Sequence, residues 1–276
     1  MRKLSKSELK QLQEIELELL IEFDRICEKY NLKYFLCGGS LIGAIRHKGF
    51  IPWDDDIDVS MPRKDYMKFL NVYKEEIDSK KYFLQARETD DKCYMLMAKL
   101  KRKDSIYSEK NSIRDKKEKC IWLDIFPVDN IKNNSIISRL RYFRVYSLKT
   151  ILAYKTGYLS DANTRLKKII LLIVKFVSIF YSINGLNKKL DNIIFRDSDK
   201  DTKYVASFAG TYLGKEIVEK RLIKDIIKVD FEGKKFNAPK NYDEYLRHYY
   251  GDYMQLPPKE KRNPIHEIDE IKFPEK

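Results

Sequence analysis

Leu12, Ile15, Leu19, Phe23, Ile26 and Tyr30 recur at steps of three and four, which predicts a helix with one apolar face from about residue 7 to 30. The following Leu32 to Cys37 is short, apolar and rich in β-formers, and it breaks at Gly38-Gly39, so a buried strand should enter a turn there. Ser40 is placed to cap a short helix running through Ile45. Asp56 to Met61 reads as a second strand, and Arg63 to about Ile77 as a helix with Tyr66, Phe69, Leu70 and Tyr73 inward. Further β-like stretches cover Tyr82 to Ala86, Tyr94 to Leu100 and Ile121 to Phe126. From about Ser135 to Arg196 the pattern turns helical, and it includes the apolar run Ile169 to Val174. Beyond it, Glu232-Gly233-Lys234 marks a turn between two β-like runs, followed by a helix from Tyr242 to Tyr250. The expectation is an α/β (α+β) protein with a mixed sheet and helices packed on it. Three regions are expected: a core over 1–134, a basic helical region over 135–200, and a C-terminal region over 201–276 that packs on the core and closes the site.

With 276 residues and 43% hydrophobic content the chain can bury a substantial core. No stretch has the pattern of a cleaved signal or a spanning helix, so a cytoplasmic location is expected. The four cysteines, Cys27, Cys37, Cys93 and Cys120, stand singly, which favours buried thiols over a zinc site or disulfides. The net charge of +13 is unevenly placed. Eleven Lys or Arg against one acid between Arg139 and Lys189 supply +10 of it. The nearly balanced remainder argues against a surface made for nucleic-acid backbone, and no nucleic-acid partner is expected. In residues 165–181, Arg165-Leu166-Lys167-Lys168 precedes an apolar run interrupted by Lys175. That segment is too short to cross a bilayer but suits an anionic membrane surface, the alternative being a core-packing helix with a basic outer side.

Candidate chemistry concentrates between residues 38 and 58. On a strand, Asp56 and Asp58 point to one side while Ile57 and Val59 point into the core. Two neighbouring carboxylates repel, and a hard divalent cation, Mg2+ or Mn2+, is the usual remedy. Asp124 interrupts the apolar run Ile121 to Pro127 and is the candidate third ligand of a two-ion site, unless it faces water from an edge strand. Asp54 and Asp55 read as loop residues that cap or meet solvent, with Asp54 within reach of the metal shell. Gly38-Gly39-Ser40, where a strand hands over to a helix, offers backbone N–H groups to a phosphate. Arg46 is a candidate phosphate ligand, or else complements its own helix dipole. Trp53 either shields the site or packs. Lys261, Arg262 and His266 form a basic strap that closes over donor or acceptor, or else a solvated tail.

The run from Gly38 through Arg46-His47-Lys48-Gly49-Phe50-Ile51-Pro52-Trp53 to Asp58 resembles the signature of the LicD family of phosphotransferases. Further likeness lies at Asp124-Ile125-Phe126-Pro127 and from Tyr250 to Arg262, so it spans nearly the whole chain. The resemblance implies a nucleotidyltransferase-like core, with Asp56, Asp58 and Asp124 as metal ligands and Gly39 with Ser40 as the phosphate-holding turn. It also implies a CDP-alcohol donor, CDP-choline favoured, and a lipid-linked glycan acceptor of teichoic acid or lipopolysaccharide type, which would place the protein at the inner membrane face. Choline itself calls for an aromatic cage, and nineteen tyrosines single out no particular one. The rival readings are a nucleotidyltransferase that releases pyrophosphate and, from another class, a nucleic-acid-binding protein.

Overall fold

The computed structural model describes residues 3–90, 92–109, 119–133, 135–159, 164–210, 212–264, 266 and 268–275. Helix α1 (Lys6–Lys29) opens with a capping box in which Ser5 and Glu8 satisfy each other's backbone N–H groups. Its apolar stripe, Leu12, Leu19, Leu20, Phe23 and Ile26, is fully covered. Strand β1 (Phe35–Leu36) leads into α2 (Gly38–His47), then come β2 (Asp58–Pro62), α3 (Arg63–Glu76), β3 (Tyr82–Gln85), β4 (Ala98–Arg102), β5 (Ile106–Glu109) and β6 (Trp122–Ile131). After these, α4 (Ile136–Lys155), α5 (Arg165–Ser178) and α6 (Ile183–Ile194) form the helical region. The chain ends with β7 (Tyr204–Ala206), β8 (Ile217–Glu219), α7 (Arg221–Lys224), β9 (Ile226–Phe231), β10 (Lys234–Pro239), α8 (Tyr242–Tyr250) and β11 (Ile268–Lys272).

The main sheet runs β1-β2-β6-β4-β3, and β7 and β8 extend it from the second half of β6. Among the described residues only the β2 and β6 pairing is parallel, so the sheet is mixed and the α/β class is as expected. The helix α3 between β2 and β3 buries Tyr66, Phe69, Leu70 and Tyr73, the four residues its periodicity selects. One apolar core gathers α1, α3 and the sheet. A second gathers Tyr142, Val145 and Leu152 of α4, Leu186, Leu190 and Ile194 of α6, and Ala206 and Ile217 of β7 and β8. All four cysteines are buried.

The hairpin of β9 and β10 turns at Glu232 and Gly233, both with positive φ, the two-residue turn whose twist matches its strands. Its tip clamps the loop after α2: Glu232 donates its N–H to the Lys48 carbonyl (2.9 Å), and its carboxylate accepts the Phe50 N–H (3.0 Å).

Several expectations change. The strand expected from Asp56 starts at Asp58, although the Ile57 carbonyl already accepts the Asp124 N–H (3.0 Å). The stretch from Tyr94 becomes strand only at Ala98. The strap is held at its end, where His266 bonds Asp55 and β11 beyond it pairs antiparallel with β5, whereas Lys259 to Lys261 stay exposed as in the solvated alternative. Helix α2 begins at Gly38 with Cys37 at its N-cap, so Ser40 lies inside the first turn and caps nothing. Its hydroxyl accepts the Asp58 N–H (2.8 Å), tying helix to strand.

Candidate active site

Parallel pairing sets Asp58 directly beside Asp124, since the register runs Asp58 to Asp124 and Val59 to Ile125. Ile57 and Val59 are fully buried, and by strand alternation the aspartates face the opposite way, into a cavity of about 670 Å3 that Asp54, Asp56, Asp58 and Asp124 all line. Strand β6 is flanked by β2 and β4, so Asp124 belongs to an interior strand and the edge-strand alternative falls. A charge there needs an answer. It comes from Lys99, the cross-strand neighbour on β4, whose ammonium lies 2.8 Å from Asp124 Oδ1, and from the Trp122 indole N–H, 3.1 Å from Oδ2. The same ammonium sits over the Trp122 ring at 3.9 Å.

Asp54 and Asp55 do not meet solvent: they are 6% and 1% exposed. Asp55 accepts the His266 N–H (3.1 Å), pairs with its imidazole Nδ1 (3.2 Å) and is reached by the Tyr107 hydroxyl (3.3 Å). Asp54 lies against Gly39, where a Cβ would come within 2.4 Å of its carboxylate oxygen, and Asp58 lies against Gly38 in the same way at 2.8 Å. Both glycines are therefore required by close approach, and Gly38 also by its φ of +56°. The start of α2 thus faces carboxylates as well as the cavity, where first-turn N–H groups lack helical acceptors.

So many carboxylates in one place disturb each other's titration. Burial, then the charges of Asp56 and Asp55, pushes Asp54 up to about 8. Burial pushes Asp56 up to about 6, with His266 pulling against Asp55 and Asp124. Asp58 is held well above the usual carboxylate range by burial and by Asp56, Asp124 and Asp54, against the pull of Lys99. Behind them Glu16 of α1 is 2% exposed and also raised, by burial and then by Asp56, Asp55, Asp54 and Asp58. Oxygen-only donors crowded to this degree suit a hard divalent cation in type and in charge. As the side chains stand, no three His, Cys, Asp or Glu among the described residues are grouped to hold an ion, and Asp124 is turned to Lys99 instead.

The remaining expected residues divide. Trp53 lines the cavity, and the Arg262 guanidinium covers its ring at 5.5 Å while donating to the Pro257 carbonyl (2.8 Å). His266 lines the cavity through its hold on Asp55. Arg46 does not line it: its guanidinium donates to the Tyr253 carbonyl (2.6 Å) and to the His47 ring (2.9 Å), pinning the segment after α8 to the end of α2. Lys261 is exposed and likewise outside the cavity lining. Sequence reasoning missed Lys99 and Trp122, although both alternate with apolar neighbours at period two. It also missed Lys149 of α4, Glu216, and Tyr245, Tyr249 and Tyr250 of α8, which fold onto the same cavity.

Residues 31–147 match the family described as LicD/FKTN/FKRP, nucleotidyltransferase domain. The lipopolysaccharide cholinephosphotransferase LicD of Haemophilus influenzae is 33% identical over 269 residues, 95% of this chain and 97% of that protein. The ribitol 5-phosphate transferase FKRP of human and of mouse is 45% identical over 40 residues, 14% of this chain and 8% of theirs. Likeness over nearly the full length of both chains, on top of an aspartate-lined cavity of this kind, makes this protein a phosphotransferase that belongs to the LicD family.

Proposed function

We propose that the chain moves a phospho-alcohol from a CDP-alcohol, CDP-choline first among them, onto a sugar hydroxyl of a lipid-linked cell-surface glycan precursor, lipopolysaccharide or teichoic acid in type. CMP is the leaving product. The observation that carries this reading is the in-register pair Asp58 and Asp124 on the cavity floor, in a chain similar throughout to a cholinephosphotransferase.

In this reading Asp56, Asp58 and Asp124 would hold Mg2+ or Mn2+, two ions in all. A cation so held supplies charge to the diphosphate and lowers the pKa of an attacking hydroxyl. The acceptor oxygen forms a bond to the phosphorus that bears the alcohol, in line with the breaking bond to CMP. Lys99 pairs with Asp124 and adds positive charge beside the diphosphate. Lys149, partly buried and held below its usual pKa by burial, brings a second cation from the helical region. Trp53, braced by Arg262, and Trp122 wall the reacting centre from water. Region 1–134 then carries the chemistry, and 201–276 closes over it.

Supplying the protein and magnesium with an envelope acceptor and CDP-choline, CDP-ribitol or CDP-glycerol in turn tests this. Release of CMP from one donor is expected. Pyrophosphate release from CTP, with no CDP-alcohol consumed, would overturn it in favour of nucleotidyl transfer.

A second observation favours a membrane-lying face on region 135–200. Ile136, Ile137, Leu140 and Phe143 of α4 are exposed, as are Leu166, Ile169, Leu172, Ile173 and Phe176 of α5, with Ile179 and Phe180 beyond it. Only Val174 and Ser178 of α5 are buried, so its apolar side is not core packing. Among the described residues no single helix is long and apolar enough to cross a membrane. The bent pair Arg165–Ser178 and Ile183–Asp197 would suffice by length and composition, but Leu186, Leu190 and Ile194 are spent on the second core. Lysines beside the bare face suit anionic headgroups at the inner leaflet. Cosedimentation with anionic vesicles at low salt is expected, and its absence would remove this part of the reading.

A further inference from the structure

The aspartates occupy one part of the cavity, and its wall elsewhere has another chemistry. Tyr212, Tyr249 and Tyr250 bring three rings together there, with centroids 5.7 Å apart for Tyr212 and Tyr250 and 5.9 Å for Tyr212 and Tyr249, both pairs edge to face. Among them is Glu216, 4% exposed. Its carboxylate accepts the Tyr212 N–H (3.0 Å) and bonds the Tyr249 side chain. Gly210 leaves it no more than the needed space, since a Cβ there would fall 1.9 Å from Oε1.

Among the described residues no Lys, Arg or His forms an ion pair with Glu216, and Lys149 acts on it only through space while also facing Asp124. Burial pushes the acid up to about 7. A carboxylate kept from water without a paired cation is costly, and electron-rich ring faces around it attract the same missing charge. A primary amine would need hydrogen-bond acceptors for three N–H groups, whereas a quaternary ammonium needs only a weakly hydrated, negative, apolar surround.

We propose that Glu216 with the rings of Tyr212, Tyr249 and Tyr250 is a subsite for a quaternary ammonium group. This rests on the CDP-alcohol reading above and chooses within it: the alcohol is choline, and an uncharged polyol is poorly accommodated. Lys149, between this subsite and Asp124, serves the diphosphate that joins the two halves of the donor.

The experiment compares kcat/KM for CDP-choline and CDP-glycerol in the full chain and in Glu216→Gln, Tyr250→Leu and Tyr250→Phe. The wild type should prefer CDP-choline by about tenfold or more, and Glu216→Gln and Tyr250→Leu should each cut that ratio by about tenfold, while Tyr250→Phe, which keeps the ring, restores most of it. A wild type without preference, or a preference that survives both Glu216→Gln and Tyr250→Leu, overturns the subsite and leaves phosphotransfer standing. If no CDP-alcohol is consumed at all, the functional reading fails, and calorimetry with phosphocholine and inorganic phosphate decides the subsite separately. Phosphocholine binding weakened by Glu216→Gln, with phosphate binding unmoved, then keeps it. Equal binding of both compounds, or of neither, removes it.

Discussion

Helices α1 and α5 are both amphipathic, and their apolar sides meet opposite fates. On α1, Leu12, Leu19, Leu20, Phe23 and Ile26 are covered by α3 and the sheet. On α5, Leu166, Ile169, Leu172, Ile173 and Phe176 stand bare. Periodicity announces that a face wants cover without naming what supplies it. The tell is the other side: α1 carries mixed charge, whereas α5 carries Arg165, Lys167, Lys168 and Lys175 with no acid, a composition that suits an anionic surface.

The comparison is tested most severely at the site that the α1 side of the molecule supports. Asp58→Asn should lower transfer to below about a thousandth of wild type, with cooperative unfolding retained. Turnover near normal at saturating magnesium would disconnect the aspartates from the chemistry. Next comes packing. Leu19→Ala should cost about 2–5 kcal/mol in denaturant unfolding, and Ile173→Ala on α5 no more than about 0.5 kcal/mol. Equal costs would mean that the α5 face is covered in solution and would break the contrast.

Smaller still is the charge effect. Replacing Lys167, Lys168 and Lys175 by Glu should weaken binding to anionic vesicles by about 1 kcal/mol or more per residue, read by cosedimentation. The same changes should leave thermal unfolding nearly unmoved. The smallest effect is on pH dependence. Two glutamates are buried, Glu16 on α1 and Glu216 on the cavity wall. Glu216 has a folded pKa of about 7 against an ordinary 4.5, so the folded state binds the extra proton. Its contribution favours folding at low pH and is lost as pH rises from about 4.5 through about 7. Glu216→Gln should therefore reduce the fall in Tm between pH 5 and pH 8, and an unchanged fall would place the titration elsewhere.

What could be read in advance was local. Tyr66, Phe69, Leu70 and Tyr73 declared the inner face of α3, Glu232-Gly233 declared a hairpin, and Asp56 and Asp58 declared a shared side because Ile57 and Val59 had to be inside. Ser40 was misread because capping residues often sit just before helices, whereas this helix starts two residues earlier on glycines that admit Asp54 and Asp58. Asp54 and Asp55 read as loop residues that cap or meet solvent, with Asp54 within reach of the metal shell, because a run of acids in a loop carries no local sign of burial. The hold of His266 on Asp55 spans 211 positions, and no local pattern carries it. Lys99, Lys149 and Glu216 reach the cavity from a strand, a helix and a turn far apart in the chain, so their meeting is a property of topology. Glu16 was legible in principle, as a lone acid in the covered stripe of α1.

The parallel pairing of β2 and β6 has a kinetic side. Asp58 and Asp124 are 66 positions apart, and a parallel neighbour cannot be reached by a tight turn, so a long loop has to close before the two strands gain from meeting. The carboxylates are therefore expected to meet late in assembly. Salt that screens the aspartates is therefore expected to speed refolding, which stopped-flow refolding at two ionic strengths would read.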